Sequence, residues 1–256
     1  MLMANRSNIG CVRQVNEDQS WTGKLSSFTA LAVVADGMGG HQAGDVASQL
    51  AVEAFCSSMK SGLPGESFSL PEGKMLMRQA IIKANSTVYE LSSREERYHH
   101  MGTTIVAALL QEANIIIGHV GDSRAYKVSE GIMEQLTVDH TLVNELVKSG
   151  QLSEEEAANH PRRNVLTRAI GTDEHVEIDV QAVKWSSCDT LLLCSDGLTN
   201  MVSEDEIVGA IMNEELALEE KADHLIQLAL DGGGDDNVTV VLIQPSADRE
   251  REERLQ

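Results

Sequence analysis

Apolar runs of strand length in this chain end, one after another, on an aspartate. Val33-Val34-Ala35 leads into Asp36-Gly37, His119-Val120-Gly121 into Asp122, and Leu193-Cys194-Ser195 into Asp196-Gly197. A further run, from Val238, begins directly after Asp235-Asp236-Asn237, and Asn16-Glu17-Asp18 adds two carboxylates near the start. Taken singly, an Asp-Gly after a strand is a turn, because both residues tolerate left-handed backbone angles. Repeated at several strand ends, it calls for a second explanation. If the fold gathers these ends, the carboxylates repel at close range and their pKa values rise, unless cations neutralise them.

The strand-length runs are Leu31 to Ala35, Thr104 to Leu110, Ile115 to Val120, Val176 to Val183, Leu191 to Cys194 and Val238 to Ile243. Short spacers such as Gln111 to Asn114 favour hairpins, and hence antiparallel pairing. Between the strands lie helical stripes: Val46, Leu50 and Ala54, then Leu76, Ala80, Ala84, Val88 and Leu91, and later Leu218, Ala222, Leu225 and Ala229. Ser153 with Glu156 and Ser203 with Glu206 match the capping box that opens a helix. The order predicts an α+β or layered α/β fold with mainly antiparallel sheets. One domain over residues 1–246 is the economical division for a chain of 256 residues, and the charged tail 247–256 is expected to fray. His140 to Gly171, with two short helical patterns followed by His160-Pro161-Arg162-Arg163, reads as a flap over something.

Composition excludes several classes. A formal charge of −20 repels nucleic-acid phosphates and anionic membrane surfaces. Cys11, Cys56, Cys188 and Cys194 form no CxxC pair, which removes zinc knuckles and thioredoxin-like redox motifs. No stretch approaches the ~20 apolar residues of a membrane span, and the N-terminus carries no signal-peptide pattern. A cytoplasmic monomer with no nucleic-acid or membrane partner is the expectation.

All-oxygen ligands are hard, so gathered carboxylates favour Mg²⁺ or Mn²⁺ over zinc or copper. No segment has the spacing of an EF-hand loop, so the ligands must be assembled by the fold. Two such ions roughly 3.5–4 Å apart can share a water, lower its pKa and aim it at phosphorus. Arg13, on the same short segment as Asn16, has the forked guanidinium needed to grip phosphate oxygens. Considered apart from its acidic neighbours, it is an ordinary surface arginine.

The ordered set Arg13-x-x-Asn16-Glu17-Asp18, Asp36-Gly37-Met38-Gly39-Gly40, Gly102-Thr103-Thr104, Gly121-Asp122-Ser123-Arg124, Ser195-Asp196-Gly197 and Asp236-Asn237-Val238-Thr239 resembles the PPM, or type 2C, protein phosphatases, and their bacterial branch most. The likeness runs from Gly10 to Ile243. It implies a four-layer α-β-β-α sandwich of two mainly antiparallel sheets, with helices on both outer faces and a two-metal centre at one end. Asp36 would bridge both ions, the Gly37 carbonyl would bind one of them, and Asp196 and Asp236 would complete the shell of the other. Asp18 belongs with the metal-binding carboxylates, although it and Glu17 would act mainly by orienting metal-bound waters. Asp122 resembles the ligand of a third metal. The implied reaction is hydrolysis of phosphoserine and phosphothreonine by a hydroxide bridging two Mg²⁺ or Mn²⁺ ions, with Arg13 and Asp36 as the catalytic pair. The implied partners are phosphorylated proteins, among them a cognate serine/threonine kinase and its substrates.

Departures from the family pattern are informative. Met38 stands where many eukaryotic members carry a histidine that protonates the leaving oxygen, and a thioether cannot do so. His41 is near enough in sequence to substitute, although a polar residue opening a helix is a simpler role for it. Asn200 replaces an acid found near the third metal in some relatives. The flap, about residues 140–171 with Arg162-Arg163-Asn164-Val165, resembles the segment beside the active site of bacterial members; a plain surface insertion is the other account of it. Two rival functions remain: a catalytically inactive regulatory module of the same fold, and a phosphatase for small metabolites.

Overall fold

The computed structural model describes residues 1–26, 29–39, 43–63, 65, 68–111 and 113–245. Along them run strands β1 (Leu2–Asn8), β2 (Asp18–Lys24), β3 (Thr29–Met38), β4 (Gly102–Thr103), β5 (Ile105–Gln111), β6 (Asn114–Val120), β7 (Arg124–Ser129), β8 (Ile132–Gln135), β9 (Asp179–Lys184), β10 (Thr190–Cys194) and β11 (Val238–Gln244). The helices are α1 (Gly44–Gly62), α2 (Leu70–Arg94), α3 (Leu142–Lys148), α4 (Glu154–Ala158), α5 (Asp196–Thr199), α6 (Glu204–Met212) and α7 (Leu218–Asp231). His41 and the tail from 246 onward lie outside the described residues.

Each of the anticipated apolar runs overlaps a strand; the largest shifts are at β3, which continues past Ala35 to Met38, and at the start of β9. β9 starts at Asp179 and not at Val176, because its partner β6 offers register only from Asn114, opposite Lys184, back to His119, opposite Asp179. Val176 and the buried Ile178 pack instead against the core under the helices. Both anticipated capping boxes form, at Ser153 with Glu156 and at Ser203 with Glu206, and Ser69 with Glu72 makes another at the start of α2.

Two antiparallel sheets result, ordered β1-β11-β10-β7-β8 and β2-β3-β5-β6-β9, with β4 paired to β3. The strands are buried on both faces in the middle of each sheet, which is why their sequences read as continuous apolar runs. Along β3 the side chains alternate. Leu31, Val33 and Ala35 pack with Ala47, Phe55, Met59, Met77 and Ile81 of α1 and α2. Ala30, Ala32 and Val34 face the other sheet and meet Leu191, Leu193, Val241 and Ile243. On the far side Leu192, Cys194, Val240 and Leu242 pack under Ile207, Ile211, Ala222 and Leu225 of α6 and α7. The layers are therefore helix, sheet, sheet, helix.

The strands that sequence reading missed are β1, β2, the two-residue β4, β7 and β8. Three of them, β1, β2 and β8, are sheet edges. An edge strand buries little, so it can be as polar as LMANRSN or DQSWTGK and carry no apolar signal. The missed β2 positions the site most directly, since its first residue, Asp18, lies opposite Asp36 of β3.

Candidate metal centre

The cleft at one end of the sandwich is built by the ends of central strands. Asp36 sits near the end of β3 with its backbone N–H donating to Thr104 Oγ1 at 2.9 Å, while Thr104 N donates back to Asp36 O at 2.9 Å. Gly37 N donates to Glu17 O at 3.1 Å, and a Cβ at Gly37 would stand 2.1 Å from Gly44 O. Only glycine lets the start of α1 come this close to the end of β3. In the other sheet, β10 ends at Cys194 and Asp196 opens α5, so the Asp-Gly read as a turn is the first turn of a short helix. Ser195 joins the two sheets: its hydroxyl donates to Asp18 Oδ2 at 2.7 Å and accepts from Thr239 N at 3.0 Å.

Asn237 pins the remaining segment. Its Oδ1 accepts from Glu17 N at 2.7 Å, and its Nδ2 donates to Ile9 O and Val15 O at 2.9 and 3.0 Å. The side chain is buried, so these bonds form away from competing water. They fold the strip bearing Arg13 and Glu17 over Asp236. Asn237→Ala should therefore cost about 2–3 kcal/mol in urea denaturation, as three backbone groups lose their partner; a loss under about 0.5 kcal/mol would mean that the strip is held elsewhere.

Arg13, Glu17, Asp36, Gly37, Met38, Thr104, Asp122, Asp196 and Asp236 all line one cleft of about 870 Å³, together with Asn164 and Leu166 from the flap. The sequence-predicted residues are thus brought together, with Asp18 buried just behind them. Arg13 is not free: its Nη2 donates to Asp236 Oδ2 at 2.7 Å. Asn200, the departure noted above, donates from Nδ2 to Asp196 Oδ2 at 3.0 Å.

Charge is concentrated here beyond what the protein itself neutralises. Burial, followed by the charges of Asp18, Asp196, Asp122 and Asp236, pushes the Asp36 carboxyl well above the usual carboxylate range. Asp36 keeps some water contact through the cleft, but protein crowds it on the other sides. Burial raises Asp18 to about 7 against the hydrogen bonds from Ser195 and Thr239, and raises Asp122 to about 7 with help from Asp196. Asp196 is shifted upward by burial and by Asp236, and Glu17 by burial. Asp18 Oδ1 and Asp196 Oδ1 are buried without a hydrogen-bond partner. An orphaned buried carboxylate oxygen costs free energy unless a cation or donor meets it. Hard oxygen donors of this kind, with unsatisfied atoms facing like charges, fit divalent Mg²⁺ or Mn²⁺.

The comparison with known sequences settles the family. The profile described as Protein phosphatase 2C matches residues 12–230. The chain belongs to the protein phosphatase 2C family. It is 41% identical over 239 residues to the serine/threonine phosphatase stp of Listeria monocytogenes serovar 1/2a, covering 93% of this chain and 94% of that one. The structure of the S. agalactiae serine/threonine phosphatase superposes with a TM-score of 0.87 at 40% identity, covering 96% of this chain and 99% of that chain. The catalytic domain of the serine/threonine protein phosphatase PstP, solved in complex with 2 manganese ions, superposes with a TM-score of 0.79 at 37% identity, covering 94% and 96%. The four-layer sandwich anticipated from the motifs is the fold of this phosphatase 2C chain.

Outside the cleft, His119, His140 and Asp179 place one ligand-type atom each within 4.8 Å of one another. This second group resembles a metal site by residue type alone. Arg168 Nη1 lies 3.3 Å from both His140 Nε2 and Asp179 Oδ1, so a guanidinium already occupies the cation position. Burial lowers the pKa of both imidazoles, that of His140 to about 4. We assign the group a structural role within this phosphatase 2C fold.

Sequence reading quoted Thr104, Ser195 and Asn237 within motifs but gave them no task. Their tasks are to hold Asp36, Asp18 and the Arg13 strip in place. Small polar residues flanking the acids were the available signal.

Proposed function

We propose that the chain hydrolyses phosphoserine and phosphothreonine in proteins, with Asp36, Gly37, Asp196 and Asp236 holding two Mn²⁺ or Mg²⁺ ions and Asp122 a third. The observation that carries this reading is the convergence of carboxylates from both sheets on one cleft, two of them with orphaned buried oxygens, beneath an arginine. Divalent ions bound there would offset the carboxylate charge, act as Lewis acids towards phosphate and supply a water of lowered pKa. The manganese complex of PstP supports the choice of ions, and the names of the relatives support phosphoproteins as substrates.

The chain's own residues then divide the work. Asp18, fixed by Ser195, and Glu17, fixed through its backbone by Asn237, hold the polar floor of the cleft. Arg13 spends one N–H on Asp236 and keeps its other donors for the oxygens of an incoming phosphate at the cleft mouth. That side chain is about half exposed, 47%, as a group that meets a macromolecular substrate should be. Met38 lines the cleft without an ionisable atom, so the proton for the departing serine oxygen must come from another group.

The reading extends to a cognate serine/threonine kinase and its substrates as partners, to a cytoplasmic monomer, and to residues 1–246 as one domain. The last is supported by the sheets, in which β1 and β11, from opposite ends of the chain, are neighbours.

The test is turnover of phosphopeptides against sugar phosphates with Mn²⁺ present. Preference for phosphopeptides supports the proposal, while preference for sugar phosphates replaces it with a metabolite phosphatase. In the same assay Arg13→Ala should lower kcat/KM by about 10–100-fold, the equivalent of the 1.5–3 kcal/mol typical of a hydrogen bond to a charged group. Wild-type turnover in that variant would leave phosphate recognition without its residue.

A further inference from the structure

His140 is buried at the point where the flap leaves the body of the fold. It is tied to Gly121, the residue before Asp122, by two hydrogen bonds. Its backbone N–H donates to Gly121 O at 2.9 Å, and its ring Nδ1 accepts from Gly121 N at 3.1 Å. Gly121 has a φ of +107°, and a Cβ there would lie 2.6 Å from Thr104 Cγ2. The backbone that delivers Asp122 to the cleft is therefore in a conformation open to glycine. Its amide finds its acceptor in an imidazole nitrogen.

The rest of His140 is held with equal care. The ring stacks on His119 of β6 with centroids 4.7 Å apart and planes 15° off parallel. Because Nδ1 accepts, the proton of the neutral ring sits on Nε2, which faces Asp179 Oδ2 at 3.4 Å. Arg168, a donor only, then pairs with Asp179 and Glu177 and not with the ring. The carbonyl of His140 accepts from Thr167 N at 2.8 Å, next to the Leu142 N to Val165 O bond at 2.8 Å, and these close the two ends of the flap on each other. The flap in turn brings Asn164 and Leu166 to the cleft. One residue thus touches the backbone of Gly121 beside Asp122, the closing end of the flap and the edge strand β9.

We propose that His140 is a positioning residue: through the Gly121 amide it fixes the Asp122 carboxylate in the cleft and ties that position to the flap. Its ring does not reach the substrate. This rests on the reading of Asp122 as a metal-holding group, and it predicts that the imidazole Nδ1 acceptor sets the affinity of the ion Asp122 holds.

Calorimetric titration of the full chain with Mn²⁺ tests it, using Asp122→Asn, His140→Ala, His140→Asn and His140→Gln. Asp122→Asn should remove the weakest class of Mn²⁺ binding. His140→Ala should weaken that same class by about 10–100-fold, the usual cost of losing a group that orients a ligand, and leave tighter binding unchanged. Asn places its Oδ1 where Nδ1 of the ring lies, so His140→Asn should restore the weak class. Gln places its oxygen near Nε2, so His140→Gln should not. Should the alanine variant fail to fold, the Asn and Gln pair still decides, since both keep a polar side chain and only one keeps the acceptor. Equal Mn²⁺ binding by these two, or wild-type binding by His140→Ala where Asp122→Asn has lost an ion, overturns the proposal. Unchanged binding in Asp122→Asn would instead overturn the reading of Asp122.

Discussion

Asp36→Asn should reduce Mn²⁺-dependent hydrolysis of para-nitrophenyl phosphate by at least on the order of 10³-fold, while leaving a folded protein. Asparagine has nearly the same shape and keeps the backbone bonds to Thr104, so β3 and β5 lose nothing. What disappears is the negative charge that sits among Asp18, Asp196, Asp122 and Asp236. The same substitution should raise the melting temperature of the chelator-treated protein at pH 8, because burial and four like charges oppose ionisation of the carboxyl it removes, a cost the unfolded chain does not bear. Loss of function joined to gain of stability marks a residue kept for chemistry at a cost to the fold. Turnover within about tenfold of wild type would remove Asp36 from the reaction. A lower melting temperature without metal would show that the carboxylate is compensated by the protein and needs no ion.

The sequence made the centre of the fold legible and left its margins obscure, for one physical reason. Strands such as Leu31 to Ala35 and Val238 to Ile243 are covered on both faces, so nearly every position must be apolar and the run announces itself. Helices α4 and α6 were readable through Ser153 and Ser203, since a capping box is local chemistry, and α1, α2 and α7 through their apolar stripes. β1, β2 and β8 were not, because an edge strand with one solvated side has no obligatory pattern. The carboxylates were legible because aspartate at the end of an apolar run is conspicuous and several such ends must share one rim. Their supporting contacts were not. That Asn237 reaches Ile9 and Val15, or that Ser195 reaches Asp18, depends on residues more than 170 positions apart in the chain. His140 shows the same limit, since nothing in its neighbours Asp139 and Thr141 announces that its ring holds the amide of Gly121.

Removal of the divalent ions should abolish turnover and destabilise the fold, and the second effect should depend on pH with a defined sign. Asp18 and Asp122 are raised from 3.8 to about 7, and Asp36 and Asp196 are shifted the same way, all chiefly by burial. A group whose pKa is higher in the folded state binds its proton more tightly there. The stability this contributes is complete below about pH 4 and is lost as pH rises through about 7. The metal-free protein should therefore melt lower at pH 8 than at pH 6, by up to about 1.4 kcal/mol per pH unit for each proton by which the folded state exceeds the unfolded one. At roughly 2–4 °C per kcal/mol for a chain of this size, the difference is easily measured by calorimetry. The Mn²⁺-loaded protein should show little of this slope, because the ions favour the ionised carboxylates in competition with protons. The gap between loaded and chelated melting temperatures should widen from pH 6 to pH 8, and Mn²⁺ binding near pH 6.5 should release protons, seen as a dependence of the binding heat on the ionisation enthalpy of the buffer. An equal gap at both pH values, or a binding heat independent of buffer, would mean that the acids of the cleft are already charged and compensated without metal.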